Sequence, residues 1–374
     1  MPSGSCAAGQ SREAAIRPLH DVAIVEAYAL DAPLGLRLAG GLAGRIAADL
    51  GARVVKLVPQ GGDPLDRVAP FIGGTSTVAA FLNAGKQIVL EDDEALARQL
   101  AEADATILDC GLHAGLADLA DLPAVVAVLS LFKPGAVHGP ASAFTVAALG
   151  GLLDMVGDPE REPLRLGGHQ MAYSTGLAAY AGLAAALCKP KVAGRPAPET
   201  VQVSMLDTVV WLNWKSAPFV ASAPALTRAG AAAEWQVVRC ADGWIALVYQ
   251  DADWRALCDM VDDPRLRAPC FLDRAERLRR AGEVTQIIAE RFLSRNRKEL
   301  HAAALARRLP LGPVWSPEDL VADAQNVSRG LFATVDLGEG VEAAMPRLPV
   351  IWGGRIFTPD APAPVRREAM ADSP

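Results

Sequence analysis

The chain contains no CxxC pair and no HExxH motif, and its six cysteines and five histidines are scattered along 374 residues. Disulfide-framed small domains and zinc sites both need closely spaced ligands, so Cys6, Cys110, Cys188, Cys240, Cys258 and Cys270 read as reduced, mostly buried thiols and no metal site is expected. An excess of positive charge is also missing: 36 Lys and Arg stand against 43 Asp and Glu, a formal charge of −7. That balance argues against nucleic acid or an anionic membrane as the main partner, while leaving room for a small anion on a local basic patch. Long apolar runs are absent as well. The most apolar, "TGLAAYAGLAAALC", has 14 residues, short of the ~20 that a membrane span needs. The Ser/Gly/Ala-rich start lacks the apolar core of a secretory signal. The expectation is a cytoplasmic protein.

What is present is an alternation. "DVAIVEAYA" (21–29) has strand length, "GGLAGRIAADLGA" (40–52) has helical spacing, and "RVVKLVP" (53–59) is strand-like again. This is a βαβ unit, which implies a parallel sheet covered by helices. Further strand-like runs follow at 86–92, 105–111 and 124–132. They are continuously apolar rather than alternating, as strands buried on both faces should be. A helix is predicted over 141–155, and "TVQVSMLDTVVWLNWK" (200–215) passes from strand to helix, with Trp211 and Trp214 expected to bury together. The "ADG" at 241–243 marks a hairpin, and helical stretches follow at 251–261, 273–295 and 297–308. The fold class is therefore α/β, a Rossmann-like doubly wound large domain plus a smaller α+β domain. The expected layout is a disordered tail over 1–20, the large domain over 21–216 and a linker over 217–234. The small domain covers 235–335, and a segment over 336–374 returns to the large domain.

The stretch "RLGGHQMAYSTGLAAYAGLAAAL" (165–187) is a loop of small residues running into an alanine-rich helix. Enzymes often keep a reactive group in such a place, yet between Arg165 and Gly176 there is no carboxylate, cysteine or lysine. The loop's own polar groups are His169, Gln170 and Tyr173. They read either as a general base with an orienting amide and a phenol donor, or as hydrogen-bonded packing residues.

Six blocks, taken in order, resemble one family. They are "LAGGLAGRIAADLGARVVKLVPQGGDPL" (38–65), "FLNAGKQIVLE" (81–91), the 165–176 loop, "VSMLDTVV" (203–210), "CADGWIAL" (240–247) and "LPLGPVWSPEDLVAD" (309–323). The chain is similar to the family III CoA transferases, which include formyl-CoA transferase, carnitine CoA transferases and α-methylacyl-CoA racemase. The resemblance implies transfer of CoA between an acyl-CoA and a small carboxylic acid. It also implies two chains threaded through each other, as a homodimer or as a heterodimer with a catalytic paralogue.

In the family's transferases an aspartate at the start of a helix attacks the CoA thioester, because a carboxylate is both a nucleophile and, once acylated, a leaving group. Its place here is Ala172. The racemase's histidine position falls near Ser142, and Asp207 reads as a residue bracing the helix that it opens. On the CoA side, Lys86 matches the family lysine near the phosphates, with a solvated lysine at a strand start as the other reading. Ala39 and Gly40 match small residues ahead of the first helix, and Leu82 and Asn83 belong to the same Leu-Asn block as Lys86. Gln60 stands where the family carries a basic residue, while Asp109 and His113 lie where an arginine is missing. Two further roles remain open: an auxiliary subunit without the nucleophile, and a lyase or isomerase step on an acyl-CoA run by His169 and Tyr173.

Overall fold

The computed structural model describes residues 17–116, 122–136, 139–158, 160–189, 198–218, 234–337, 340–357 and 365–367. Most of the expected tail (1–16) and linker (219–233) lies outside them. The described residues form two compact units. One comprises the chain up to Leu152, Leu166–Trp214, and the residues from Leu331 onward; the other comprises Leu153–Arg165 and Lys215–Gly330.

The first unit is built on a parallel sheet. Its strands are β1 (Ala23–Ala27), β2 (Arg53–Val58), β3 (Gln87–Leu90), β4 (Ala105–Asp109), β5 (Val125–Ser130) and β6 (Glu199–Ser204). Their spatial order is β3-β2-β1-β4-β5-β6, with a seventh strand, Val365–Arg367, paired in parallel outside β3. This is the doubly wound order, whose sense reverses between β1 and β4. β4 and β5 are buried at every residue, as their mostly apolar sequences require when helices cover both faces, and the buried Thr106 hydroxyl donates to the Val25 carbonyl. Fully burying each such Val, Ile or Leu contributes about 1.5–3 kcal/mol.

The covering helices are α1 (Leu34–Asp49), α2 (Thr77–Asn83), α3 (Asp93–Ala101), α4 (Cys110–Gly115), α5 (Ala143–Leu149), α6 (Gln170–Leu187) and α7 (Met205–Leu212). The first helix starts earlier than its sequence spacing suggests. Pro33 is its N-cap, so Ala39 and Gly40 lie inside α1 and buried, not ahead of it. Their small size serves packing. A Cβ on Gly40 would stand 2.1 Å from Tyr28 Oη and 3.0 Å from side chains of Ile107 and Leu129, so only glycine lets α1 lie this close to the sheet. A Cβ on Gly176 of α6 would stand 2.4 Å from the carbonyl oxygen of Ala39, which sets the crossing of α6 over α1.

Three local expectations are corrected. The helix predicted over 141–155 ends at Leu149, where Gly150 caps it and Gly151 turns the chain at φ +74°. The predicted helix over 273–295 is split into Arg274–Arg279 and Ala281–Phe292 by Arg280 at φ −108°, ψ 27°. Trp211 and Trp214 do not bury together: they are 75% and 62% exposed, because α7 turns Met205 and Val209, four apart, inward instead.

The second unit has a three-stranded antiparallel sheet, with β8 (Gly243–Val248) between β7 (Trp235–Cys240) and β9 (Leu311–Pro313). Its core gathers Val238, Ile245, Leu247, Trp254, Phe271 and Phe292. Alternation in β7 puts Val238 and Cys240 inside and Trp235 and Val237 outside. Among the described residues, no helix is long and apolar enough to cross a membrane.

Candidate functional site

The start of α6 is where sequence reasoning looks for a reactive group. Gly168, at φ +69°, turns the chain into the helix, and His169 is the N-cap without a side-chain capping bond. Ala172 falls in the first turn and is 1% exposed. Helix N-termini favour negative charge, yet this first turn carries no acidic residue. The rings of His169 and Tyr173 meet edge to face, 6.0 Å between centroids and 77° between planes. Burial pushes the Tyr173 phenol above its ordinary value, so it remains a protonated donor near neutral pH. Gln170 is exposed. Ser142 caps α5 in a reciprocal box with Thr145, and α7 is capped by Ser204, whose hydroxyl accepts from the amide of Asp207 at 3.2 Å.

Beneath α1 lies a buried ionic network that sequence reasoning missed. Glu26 on β1 and Lys56 on β2 are register partners. Lys56 Nζ donates to Asp63 at 2.6 Å and to Asn83 Oδ1 at 3.0 Å, and it lies 3.8 Å from Glu26 Oε1. Lys86 Nζ donates to Glu26 Oε2 at 2.5 Å and to the Gly41 carbonyl at 2.8 Å. Tyr28 donates to Glu26 Oε1 at 3.0 Å, and Asn83 Nδ2 to Asp63 at 2.7 Å. Two carboxylates and two ammonium groups thus neutralise one another in a space that water does not reach. α1 closes over them at Gly44, where a Cβ would stand 2.5 Å from Glu26 Oε2.

The network bears directly on Lys86. Its side chain is fully buried, and burial pushes its ammonium down to about 8 against the upward pull of Glu26. It is neither a solvated lysine nor one presented to a phosphate. Asn83 joins the same network, and Leu82 is fully buried against Gly41. Burial alone would raise the Asp63 carboxyl, but Lys56, the Leu65 amide and Asn83 together hold it below its usual range. Part of the signal was legible: Glu26 and Lys56 each stand within an apolar run, and such charges need partners when buried.

A third feature is a crevice of about 470 Å³ at the carboxyl ends of β1, β2 and β3. Tyr28, Ala29 and Leu30 line it from β1, Pro59, Gln60 and Gly61 from β2, Glu91 and Asp92 from β3, with Leu112 of α4 at one side. Gln60 is exposed, and its amide donates to the Glu91 carbonyl at 3.0 Å. The β1–α1 loop is held from beneath by Arg37, which donates to the carbonyls of Ala29, Leu30 and Ala32. Asp109 accepts from the amides of Ala29 and Gly111, 2.6 and 2.8 Å away, so it braces the loop. His113, in α4, is half-buried.

Residues 32–109 and 133–368 match the model of CoA-transferase family III. The chain belongs to CoA-transferase family III. Succinate–glutarate CoA-transferase of Agrobacterium fabrum is 26% identical over 394 residues, covering 95% of this chain and 94% of that protein. The alpha subunit of succinyl-CoA–L-malate CoA-transferase of Chloroflexus aurantiacus is 25% identical over 344 residues, covering 84% of this chain and 80% of that protein. The fold is that of a CAIB/BAIF family protein from Brucella suis, with a TM-score of 0.79, 24% identity, and coverage of 94% of this chain and 97% of that one. Family III chemistry implies coenzyme A, whose nucleotide end carries a diphosphate and a ribose 3′-phosphate. The crevice does not fit the 3′-phosphate: its nine lining residues include two acids and no lysine or arginine.

Proposed function

We propose that this chain is the non-nucleophilic subunit of a family III CoA transferase. The assembly moves CoA between an acyl-CoA and a carboxylic acid, and a second family chain supplies the attacking carboxylate. The observation that carries the reading is Ala172: a buried methyl stands in the first turn of α6, where the family resemblance expects the aspartate. A methyl cannot attack a thioester or carry an acyl group, and no carboxylate lies between Arg165 and Gly176 to replace it. The relative named as an alpha subunit supports a heteromeric assembly.

A lyase or isomerase step by His169 and Tyr173 is the second reading. The two rings adjoin at the helix start, which favours it, but their contact is ring edge to ring face and Tyr173 is held protonated. A base oriented by a hydrogen-bonded partner is not what this contact provides.

The test is trapping. The chain alone, incubated with succinyl-CoA and then hydroxylamine, yields no protein hydroxamate adduct; mixed with an aspartate-bearing paralogue, whose activated carboxyl hydroxylamine captures with release of CoA or succinate, it yields one on the paralogue only. Ala172→Asp, checked by circular dichroism for folding, places an adduct on this chain. An adduct on the unaltered chain by itself overturns the proposal, and acyl-CoA turnover without an acceptor would favour the second reading.

A further inference from the structure

We propose that the crevice at the strand ends is a ribonucleoside pocket that accepts a ribose with free hydroxyls and rejects a ribose 3′-phosphate. The inference rests on the reading of the chain as part of a CoA-handling assembly, and it specifies which form of such a nucleotide this chain holds.

Position is the first support. The crevice opens at the carboxyl end of β1, next to the point between β1 and β4 where the strand order reverses. Doubly wound sheets bind ligands at such points, and about 470 Å³ falls within the range of small-molecule sites.

The walls are the second. Leu30, Pro59 and Leu112 offer apolar surface for the plane of a base, and Glu91 and Asp92 stand where β3 ends. A carboxylate at a strand end accepts hydrogen bonds from ribose hydroxyls, whereas a phosphorylated ribose calls for arginine. At Gln60, which leaves β2 toward the same crevice, the side chain is a neutral amide.

The third is the field at the neighbouring helix starts. Backbone amides at a helix N-terminus attract phosphate. At α3 that place is taken by Asp92, whose carboxylate accepts from the Ala95 amide at 2.7 Å, and at α4 by Asp109. Glu91, the residue before Asp92, is a second carboxylate in the crevice wall. A dianionic phosphate brought to this crevice meets carboxylates where a phosphate site would present cations and open amides.

Dephospho-CoA and CoA differ only in the 3′-phosphate, so titrating both into the full chain by calorimetry isolates that group. The expected result is dephospho-CoA binding at least about tenfold more tightly. Gln60→Arg, confirmed as folded by circular dichroism, reverses the order by supplying a cation. Glu91→Gln weakens dephospho-CoA and narrows the ratio. The proposal is overturned if the unaltered chain binds CoA as tightly as dephospho-CoA or more so, or if the folded chain binds neither. These outcomes are separate from the trapping experiment, where an adduct on this chain alone would sink the subunit reading whatever the ratio of affinities.

Discussion

Lys86→Met removes an ammonium from a carboxylate that has no solvent to turn to. Glu26 and Lys86 are both fully buried, 2.5 Å apart. Removing one partner of a buried pair costs ~3–5 kcal/mol, because the other charge is left uncompensated. Here Lys56 remains 3.8 Å from the second oxygen of Glu26, and Tyr28 still donates to it, which places the cost near the lower end. The Gly41 carbonyl also loses its donor, adding about 1 kcal/mol. The sum, ~4 kcal/mol, is a large share of the ~5–15 kcal/mol that holds a typical domain together. With a urea slope of ~3 kcal/mol/M, the unfolding midpoint falls by more than about 1 M. The double variant Glu26→Gln with Lys86→Met regains most of that loss, since neither charge is then buried alone. The assay is urea unfolding of the parent and the two variants by circular dichroism, with CoA binding measured on the folded proteins. An unchanged midpoint for Lys86→Met, together with a tenfold or greater loss of CoA affinity, would show that the lysine serves the ligand and refute the reasoning.

Two further outcomes follow from the same interior. Gly176→Ala forces a methyl to within 2.4 Å of the Ala39 carbonyl oxygen, so α6 must shift off α1 at a cost of about 1–3 kcal/mol; Gly282→Ala, where a Cβ meets nothing within 4 Å, is the control. Equal melting temperatures for the two would contradict the close crossing. The Asp63 carboxyl titrates below its unfolded value. Below about pH 4 the unfolded chain binds a proton that the native chain does not, so Asp63's stabilisation is fully present above that pH and is lost as pH falls through its folded pKa. Asp63→Asn therefore lowers the melting temperature at neutral pH and flattens its decline between pH 5 and 2.5; parallel declines in parent and variant would refute the assignment.

The doubly wound fold was legible in the sequence because its cause is local. Strands buried on both faces are mostly apolar, as β4 and β5 are apart from Thr106, Asp109 and Ser130; the "ADG" turn announces the β7–β8 hairpin by its glycine, which sits at φ +156°. That the loop from Arg165 to Gly176 holds no carboxylate was legible too, since residue types need no geometry to be seen. Charges were harder. Lys86 in "LNAGK" looks the same on paper whether it meets a phosphate or a carboxylate. Its partner is sixty residues away on β1, and only the register of β1 against β2 and the descent of α1 onto the sheet bring Glu26, Lys56, Asp63 and Lys86 together.

Ala39 and Gly40 were misplaced for a related reason: small residues suit a ligand's approach and a helix's approach equally well, and tertiary packing chose the helix. The crevice has the same origin. Gln60, Glu91 and Leu112 belong to three segments whose sequences say nothing of one another, and they share a wall because parallel strands deliver their loops to one edge. The sequence by itself thus determined the layers, the family and the lack of a carboxylate between Arg165 and Gly176. Which charges are neutralised inside and which are left facing a ligand was decided only when the chain closed, because electrostatic roles depend on neighbours in space and on how much water remains between them.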